Sequence, residues 1–295
     1  MPLTLELNQP RIKSIGSQMN SLMGLLEKIE AYRGDSKVEF DFANITFVQP
    51  IFLSCISALI LRLRTQGFRV VLTNRSDNIA AHFRTIYFPN GLRLDQNKNW
   101  KGKLRRYRGK EYIPLIYFQA RPLERESFLR DNVLSMVYTL LRDNCSLPVN
   151  VYSAVIYLIS EMTDNIVDHS GQSRGWISAN YNSRDKYLEI CLVDCGHGLL
   201  RTYLNNGVEI ETHTEAINKA LLGLSTKADK ERGFGIHTSN NMTVKGLKGV
   251  FAMFTGNSLL INNKIVELPV NWRGTIVALR IPVKAWNFKV IEYVE

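Results

Sequence analysis

The stretch V-Y-S-A-V-I-Y-L-I-S-E-M-T-D-N-I-V-D-H-S, residues 151–170, decides the fold of the larger half of this chain. At about 100° per residue its apolar side chains share one broad face, as in a helix packed on a core. Glu161, Asn165 and Asp168 lie within about 60° of one another beside that face. A carboxylate and an amide four residues apart on such a helix can hold a hydrated magnesium ion. An amphipathic helix with a solvated polar edge is the alternative interpretation.

The composition indicates a globular protein rather than a disordered or membrane-spanning one. The chain has 295 residues, 45% of them hydrophobic, which is enough for two domains with a core in each. The most apolar segment, residues 50–61, is too short to cross a bilayer, and the N-terminus has no signal-peptide pattern. We therefore expect a cytoplasmic protein without a membrane partner. The four cysteines lack metal-ligand spacing, so reduced, packed thiols are expected.

The formal net charge of +10 requires an anionic ligand or partner, and much of the excess lies in residues 98–110, K-N-W-K-G-K-L-R-R-Y-R-G-K. The interleaved Trp100 and Tyr107 could support nucleic-acid binding by base stacking. Two glycines and the absence of a periodic apolar face favour a solvated basic connector between domains instead. On this pattern, nucleic acid is not an expected partner.

The first hundred residues alternate between strand-like and helix-like patterns. Strands are predicted at 3–7, 38–42 and 68–72, and helices at 16–32, 50–67 and 79–87. Strands alternating with helices predict a small α/β domain.

This region resembles the STAS domains of anti-anti-sigma factors. The resemblance rests on F-D-F-A-N-I-T-F-V-Q-P (residues 40–50), an apolar helix, and R-T-Q-G-F-R-V-V-L-T-N (residues 64–74). The family usually has Asp-Ser at the start of that helix, the serine being phosphorylated, whereas this chain has Gln49 and Pro50. Proline cannot accept a phosphoryl group, and Ser54, one turn later, is a weak substitute. The resemblance implies a docking or sensing surface for a regulatory protein partner.

The second half has strand patterns at 112–119, 176–181, 187–193, 249–255 and 275–281 and a helix pattern at 124–142. Pro114 predicts an edge position or a strand start for the first of these. The strand at 187–193 runs into D-C-G-H-G. Asp194 could accept a hydrogen bond from an exocyclic amine such as that of adenine, while Gly196 and Gly198 allow a flat ligand to approach the backbone. An ordinary turn has the same pattern.

Two further glycine motifs follow. In R-G-F-G-I, residues 232–236, a helix start could present backbone N–H groups to phosphate oxygens, and Lys227 or Arg232 could add positive charge. A tight turn with a helix cap explains the same residues. Gly274 and Thr275 lead into the last strand.

In this order the motifs resemble the GHKL ATPases and kinases, whose Bergerat fold binds ATP. The resemblance covers about residues 116–285. It implies magnesium held by Asn165 and Glu161, with Glu161 also the general base, adenine contacted by Asp194, and a lid at 199–232. The other ATP-binding residues that it implies are Asp168, Gly196, Gly198, Lys227, Arg232, Gly233, Phe234, Gly235, Ile236 and Thr275.

Within that superfamily the D-H-S ending at 168–170 and the helix at 124–142 look most like anti-sigma-factor serine kinases. The helix contains no histidine, whereas a histidine kinase should carry a phosphoacceptor histidine there. We expect a STAS-like α/β domain at 1–97, a basic linker at 98–115 and an α+β two-layer ATP-binding domain at 116–295. The predicted function is an ATP–Mg²⁺-dependent regulator, a serine kinase or slow ATPase. The alternative is an ATP-gated switch with little catalysis. A homodimer is expected by analogy alone.

Overall fold

Two β-sheets, one of three strands and one of six, organise the described residues. The computed structural model describes residues 1–8, 14–93, 99, 102–103, 105–119, 131, 134–135, 137–138, 141–143, 147–169, 174–224, 235–284 and 289–294. The elements are β1 (Leu3–Asn8), α1 (Ile15–Ala31), β2 (Lys37–Asn44), α2 (Pro50–Thr65), β3 (Arg69–Thr73), α3 (Asp77–Thr85), β4 (Leu92–Arg93), β5 (Tyr112–Gln119), α4 (Val149–His169), β6 (Arg174–Asn182), β7 (Tyr187–Asp194), α5 (Gly198–Asn205), α6 (His213–Leu221), α7 (Gly235–Asn241), β8 (Val250–Ile261), β9 (Lys264–Pro282) and α8 (Ile291–Val294). The predicted mixed α/β fold class is confirmed.

The N-terminal unit is built on a parallel sheet in the order β1-β2-β3. Helix α2 begins with Pro50 at its first turn, where a missing N–H costs nothing, and the chain leaves it through Gly67 at φ +88°. Almost every residue of α2 is buried, from Pro50 to Ile60 without interruption. A helix that is buried on all sides must be covered from more than one direction.

The six-stranded sheet covers α2 on the side away from the three-stranded sheet. Its strand order is β4-β5-β6-β7-β9-β8, and every neighbouring pair except β4–β5 is antiparallel. Strand β7 shows how both faces are used. Leu188, Ile190 and Leu192 join the core under α4, whereas Cys191 and Val193 join the core that contains α1 and α2. Burial on both faces explains why this strand reads as a continuous apolar run.

Polar side chains cross the contact between α1, α2 and this sheet. Gln18 of α1 donates to Glu189 of β7 over 3.1 Å, and Arg280 of β9 donates to the other carboxylate oxygen over 2.6 Å. Burial raises the pKa of Glu189, while Arg280 and Gln18 act in the opposite direction. Ser54 of α2 is fully buried and lies 2.7 Å from Ser178 of β6, oxygen to oxygen. Ser54 is therefore inaccessible to a kinase in this fold.

Pro114 is the third residue of β5, so the predicted position at a strand start is confirmed. The strand is not at an edge of the sheet. Strand β4 pairs with it at Ile116 and Tyr117, beyond the proline, and the register against β6 shifts between Ile113 and Ile116. The missing N–H of proline therefore falls where the ladder is already interrupted.

The sequence pattern predicts a polar, irregular region at 199–224 with a helix at 216–222; α6 forms at that helix, starting three residues earlier, and α5 is an additional helix that the pattern missed. Helix α6 starts with a capping box in which Thr212 accepts from the Glu215 N–H and the Glu215 side chain accepts from the Thr212 N–H. Strand β5 starts at Tyr112, inside the expected linker, and the division into three segments stays a prediction. The helix predicted at 124–142 lies largely outside the described residues.

Within the described part of the chain, no helix combines the length and the apolar character needed to cross a bilayer. Cys55 of α2 and Cys191 of β7 are buried, and burial is the main cause that raises the pKa of Cys55.

Candidate functional site

Asp194 ends β7 as a buried carboxylate held by two backbone N–H groups. Its Oδ1 accepts from Gly196 over 2.6 Å and its Oδ2 accepts from Thr275 over 3.0 Å. Burial raises the pKa of Asp194 to about 6, and these hydrogen bonds act in the opposite direction. The predicted residues Asp194, Gly196 and Thr275 thus meet in one place. A carboxylate fixed in this way has lone pairs left to accept hydrogen bonds from a ligand.

Glycines allow the backbone segments around Asp194 to come this close. Gly274 has φ +102°, and a Cβ there would lie 2.2 Å from the Asp194 carbonyl oxygen. Gly198 has φ +72°, and a Cβ would lie 2.8 Å from Thr255 Oγ1 and 3.1 Å from the Gly274 carbonyl oxygen. Both positions combine a left-handed conformation with a close approach, which together require glycine.

Two further residues hold this part of the site and were missed by the sequence reasoning. The Thr255 hydroxyl donates to the Gly274 carbonyl over 3.0 Å and accepts from the Leu199 N–H over 3.2 Å. Trp272 Nε1 donates to the Asp194 carbonyl over 3.3 Å. The available signal for Thr255 was a polar residue followed by glycine inside an apolar strand, directly opposite Thr275 in the register.

A second group of predicted residues lies where α4 faces the start of α7. A Cβ on Gly235 would lie 2.4 Å from Glu161 Oε2 and 3.7 Å from Asn165 Nδ2. Glu161 and Asn165 are half-buried on one face of α4, as predicted from their spacing. The first residue of α7 thus lies directly against the carboxylate and the amide. Ile236 packs partly against the core cluster beneath.

Tyr157 and Thr238 complete this second group. The Tyr157 hydroxyl lies near the Thr238 side chain of α7, one turn away from Gly235. Burial and the neighbouring Glu161 carboxylate raise the pKa of Tyr157 to about 12, and the Thr238 side chain acts the other way. Tyr157 therefore stays protonated at neutral pH and can donate a hydrogen bond.

Chain connectivity puts both groups at the same end of the six-stranded sheet. Helix α4 ends at His169, β6 begins at Arg174, and Gly175 pairs with Asp194. Asp168 lies in the last turn of α4. Lys227, Arg232, Gly233 and Phe234 lie outside the described residues, so their predicted roles stay predictions.

The first part of the predicted lid is fixed to the sheet. The Thr214 hydroxyl of α6 lies 3.0 Å from the Ser258 hydroxyl of β8, and a Cβ on Gly256 of β8 would lie 2.2 Å from ring atoms of His213. At its other end α6 is tied to α7, because His237 Nδ1 hydrogen-bonds with the Leu221 carbonyl.

The donor set of α4 suits a hard cation that keeps some of its water. Within the described residues, no three His, Cys, Asp or Glu side chains come together as a metal site. Magnesium commonly takes one or two protein oxygens and completes its shell with water and phosphate oxygens. Glu161 and Asn165 match that requirement.

Comparison with solved structures finds two matching chains, and the one described here is a weak neighbour. The histidine kinase domain of the blue-light activated histidine kinase from Erythrobacter litoralis EL346 aligns over 78% of this chain and 83% of its own, at 12% sequence identity and a TM-score of 0.24. No protein-family model matches the chain, and no curated protein matches it. Values this low do not establish a family.

Proposed function

We propose that this chain is a regulator that binds ATP and Mg²⁺ in a Bergerat-type site and acts as a protein serine kinase or slow ATPase. The observation that carries the proposal is the buried Asp194 carboxylate at the end of β7, held by the Gly196 and Thr275 N–H groups. Glu161 and Asn165 of α4 lie at the same end of the sheet. These residues are what a site for an adenine ring and a magnesium-bound triphosphate requires.

Each residue would have one role. Asp194 would accept from the exocyclic amine of adenine, and Thr275, Thr255 and Gly198 would shape the wall beside it. Asn165 would contribute an oxygen to magnesium, and the backbone at Gly235 would approach the phosphates at the start of α7.

Catalysis would depend on Glu161. Bound ATP would supply the transferable phosphoryl group, and magnesium would neutralise part of its charge. Glu161 would accept the proton of a serine hydroxyl or of water and would orient that oxygen. Tyr157 and Thr238 lie beside it and would limit the rotamers of its carboxylate.

Two variants test the assignment. Asn165→Ala should abolish magnesium-dependent ATP binding in calorimetry, and unchanged affinity would refute the site. Glu161→Gln should keep binding and stop turnover, followed with γ-labelled ATP as free phosphate and as labelled protein. Glu27→Gln, an exposed glutamate of α1, is the matched control and should change neither quantity.

An ATP-gated switch with little catalysis is the second candidate, favoured by the bond between Gln18 and Glu189. Glu189 lies in β7, the strand that ends in Asp194, and Gln18 lies in the STAS-like unit. A change at the nucleotide site could therefore reach α1 through one strand. Micromolar ATP binding with no turnover, together with altered hydrogen exchange in α1 on ATP addition, would favour the switch. Unaltered exchange would argue against it.

The expected regulatory partner of the STAS-like unit also belongs to this proposal. The buried α2 is not available to such a partner, which would need another surface of the unit. Pull-down from a lysate with the Asn165→Ala variant beside the unchanged protein would test whether a partner depends on ATP.

A further inference from the structure

We propose that the end of the six-stranded sheet opposite the candidate nucleotide site binds the phosphate backbone of a nucleic acid without reading its sequence. Five exposed basic residues, here named the basic edge, lie in the turns at that end: Lys110, Arg184, Lys186, Lys248 and Lys284. This inference does not depend on the proposed ATP function.

The strand register shows that these turns lie side by side. Lys110 precedes β5, whose first residue pairs with Asn180 near the end of β6. Arg184 and Lys186 form the turn between β6 and β7. Lys284 follows β9, and the Val283 N–H donates to the Lys186 carbonyl over 2.7 Å.

Lys248 completes the row on the far side of the sheet. It precedes β8, whose first residue, Val250, pairs with Arg280 near the end of β9. With strands about 4.8 Å apart, the row from β5 to β8 spans about 19 Å. A duplex carries one negative charge per about 1.7 Å of axis with both strands counted, so a 19 Å length carries about eleven phosphates, part of which face the row.

A short turn just before Lys110 in the chain carries two more basic residues. The 3-10 turn Arg105–Tyr107 is anchored by Tyr107, which is 2% exposed and whose hydroxyl donates to the Thr85 carbonyl. The anchor leaves Arg105 and Arg106 exposed, and neither takes part in an ion pair with any described residue. Among the described residues of the run 98–110, Tyr107 is buried and the basic residues 105, 106, 108 and 110 are exposed.

The charge balance favours a polyanion. The carboxylates in the same turns are Glu111 and Asp185, and Asp185 accepts a hydrogen bond from Asn182. Asp143 is also near, 3.6 Å from Arg108. These three acids leave a clear excess of positive charge along the row.

The surface chemistry separates nucleic acid from the other polyanions. Protein interfaces depend on buried aromatic and apolar anchors, and a membrane surface needs apolar side chains to insert. The large exposed apolar side chains of the described residues all lie outside the turns that carry the basic edge. Charge without apolar anchors is typical of backbone-directed nucleic-acid binding.

The site is distinct from the nucleotide site. The seven steps from Tyr187 to Asp194 along β7 separate them by about 23 Å. A variant of the nucleotide site should therefore keep nucleic-acid binding, which separates a failure of this inference from a failure of the ATP proposal.

The test is fluorescence anisotropy of the full chain with a 20-base-pair duplex of mixed sequence, measured from 50 to 300 mM salt. Arg184→Gln/Lys186→Gln/Lys248→Gln should bind at least tenfold more weakly and show a salt slope shallower by about 2.7, or about 0.9 per lost contact. The control Arg64→Gln/Arg69→Gln/Arg75→Gln removes the same charge from exposed positions of the N-terminal unit and should bind as the unchanged protein does. Circular dichroism verifies that both variants are folded.

Three outcomes would overturn the inference. An equal loss of affinity in both triple variants would mean that the net charge of the protein alone attracts the nucleic acid. Salt-independent or absent binding of the duplex would exclude a phosphate contact. Stronger binding to polyglutamate or to phosphatidylserine vesicles than to nucleic acid, with the same dependence on the basic edge, would assign the surface to a protein or a membrane. Parallel measurements with duplex DNA, duplex RNA and single strands identify which source of phosphate is preferred.

Discussion

Replacing Gly235 by alanine tests whether the position of the Glu161 carboxylate controls turnover. The added Cβ would lie 2.4 Å from Glu161 Oε2, and ordinary contact begins at 3.4 Å, so the carboxylate must move by about 1 Å. The clashing atom is the end of a flexible side chain, which can move without disturbing the fold. A misplacement of about 1 Å in a catalytic group costs roughly 100-fold in rate, or about 2.7 kcal/mol of barrier. We therefore expect Gly235→Ala to lower kcat by about that factor.

The assay combines three measurements on the same protein: release of labelled phosphate, ATP affinity by calorimetry, and thermal unfolding. We expect turnover to fall, affinity to change by less than about tenfold, and stability to stay the same or rise, because alanine is the better helix former. Gly24→Ala is the matched control, since a Cβ there meets nothing within 4 Å. It should leave turnover unchanged and add about 0.5–1 kcal/mol to the free energy of unfolding. Wild-type turnover in Gly235→Ala would refute the role of Glu161.

Two further predictions concern buried carboxylates. The pKa of Asp194 is raised to about 6, so the ionised fraction of its carboxyl group falls from most of the protein at pH 7 to about one tenth at pH 5. Because the ionised carboxylate is the form that accepts from adenine, the apparent Kd for adenosine should rise about tenfold over that interval. Titration calorimetry of adenosine, which has no phosphate to titrate, measures this, and a persisting pH dependence in Asp194→Asn would assign it elsewhere. Arg280→Met should lower the free energy of unfolding by about 3–5 kcal/mol in chemical denaturation, because it removes the cation from the buried Glu189 and leaves Gln18 to hydrogen-bond the carboxylate. Adding Glu189→Leu to that variant should restore most of the loss, and a double variant no more stable than the single one would contradict the ion-pair explanation.

Much of the fold follows from periodicity. The stripe of α4, the apolar run of β7 and the position of Asp194 at its end could all be predicted, because each is encoded within one segment. The capping box at Thr212 and Glu215 is a sequence signature too, and it fixes the start of α6 three residues ahead of the helix expected at 216–222.

The partners of buried polar groups could not be predicted in the same way. Glu189 interrupts an apolar strand, and nothing in its own segment indicates Gln18, 171 residues away, as its partner. Nor does the sequence of α2 indicate what covers it. An apolar helix predicts burial, but β6 and β7, the strands of the sheet that pack on α2, lie more than 100 residues later in the chain. Such contacts depend on the whole topology and not on any local pattern.

The enclosure of α2 between two sheets has a consequence for synthesis. The N-terminal unit leaves the ribosome with one face of α1 and α2 uncovered, because Trp176, Val193 and Phe254 belong to the covering sheet and are added later. At about 5–20 residues per second, the ribosome needs about 10–40 s to add the roughly 180 residues between the N-terminal unit and the end of β9. During that interval the nascent chain presents an apolar helical surface, so holding chaperones should affect the yield of this protein more than its final stability. For the same reason, a fragment of residues 1–97 should aggregate when produced alone and should become soluble when the remainder of the chain is supplied in trans.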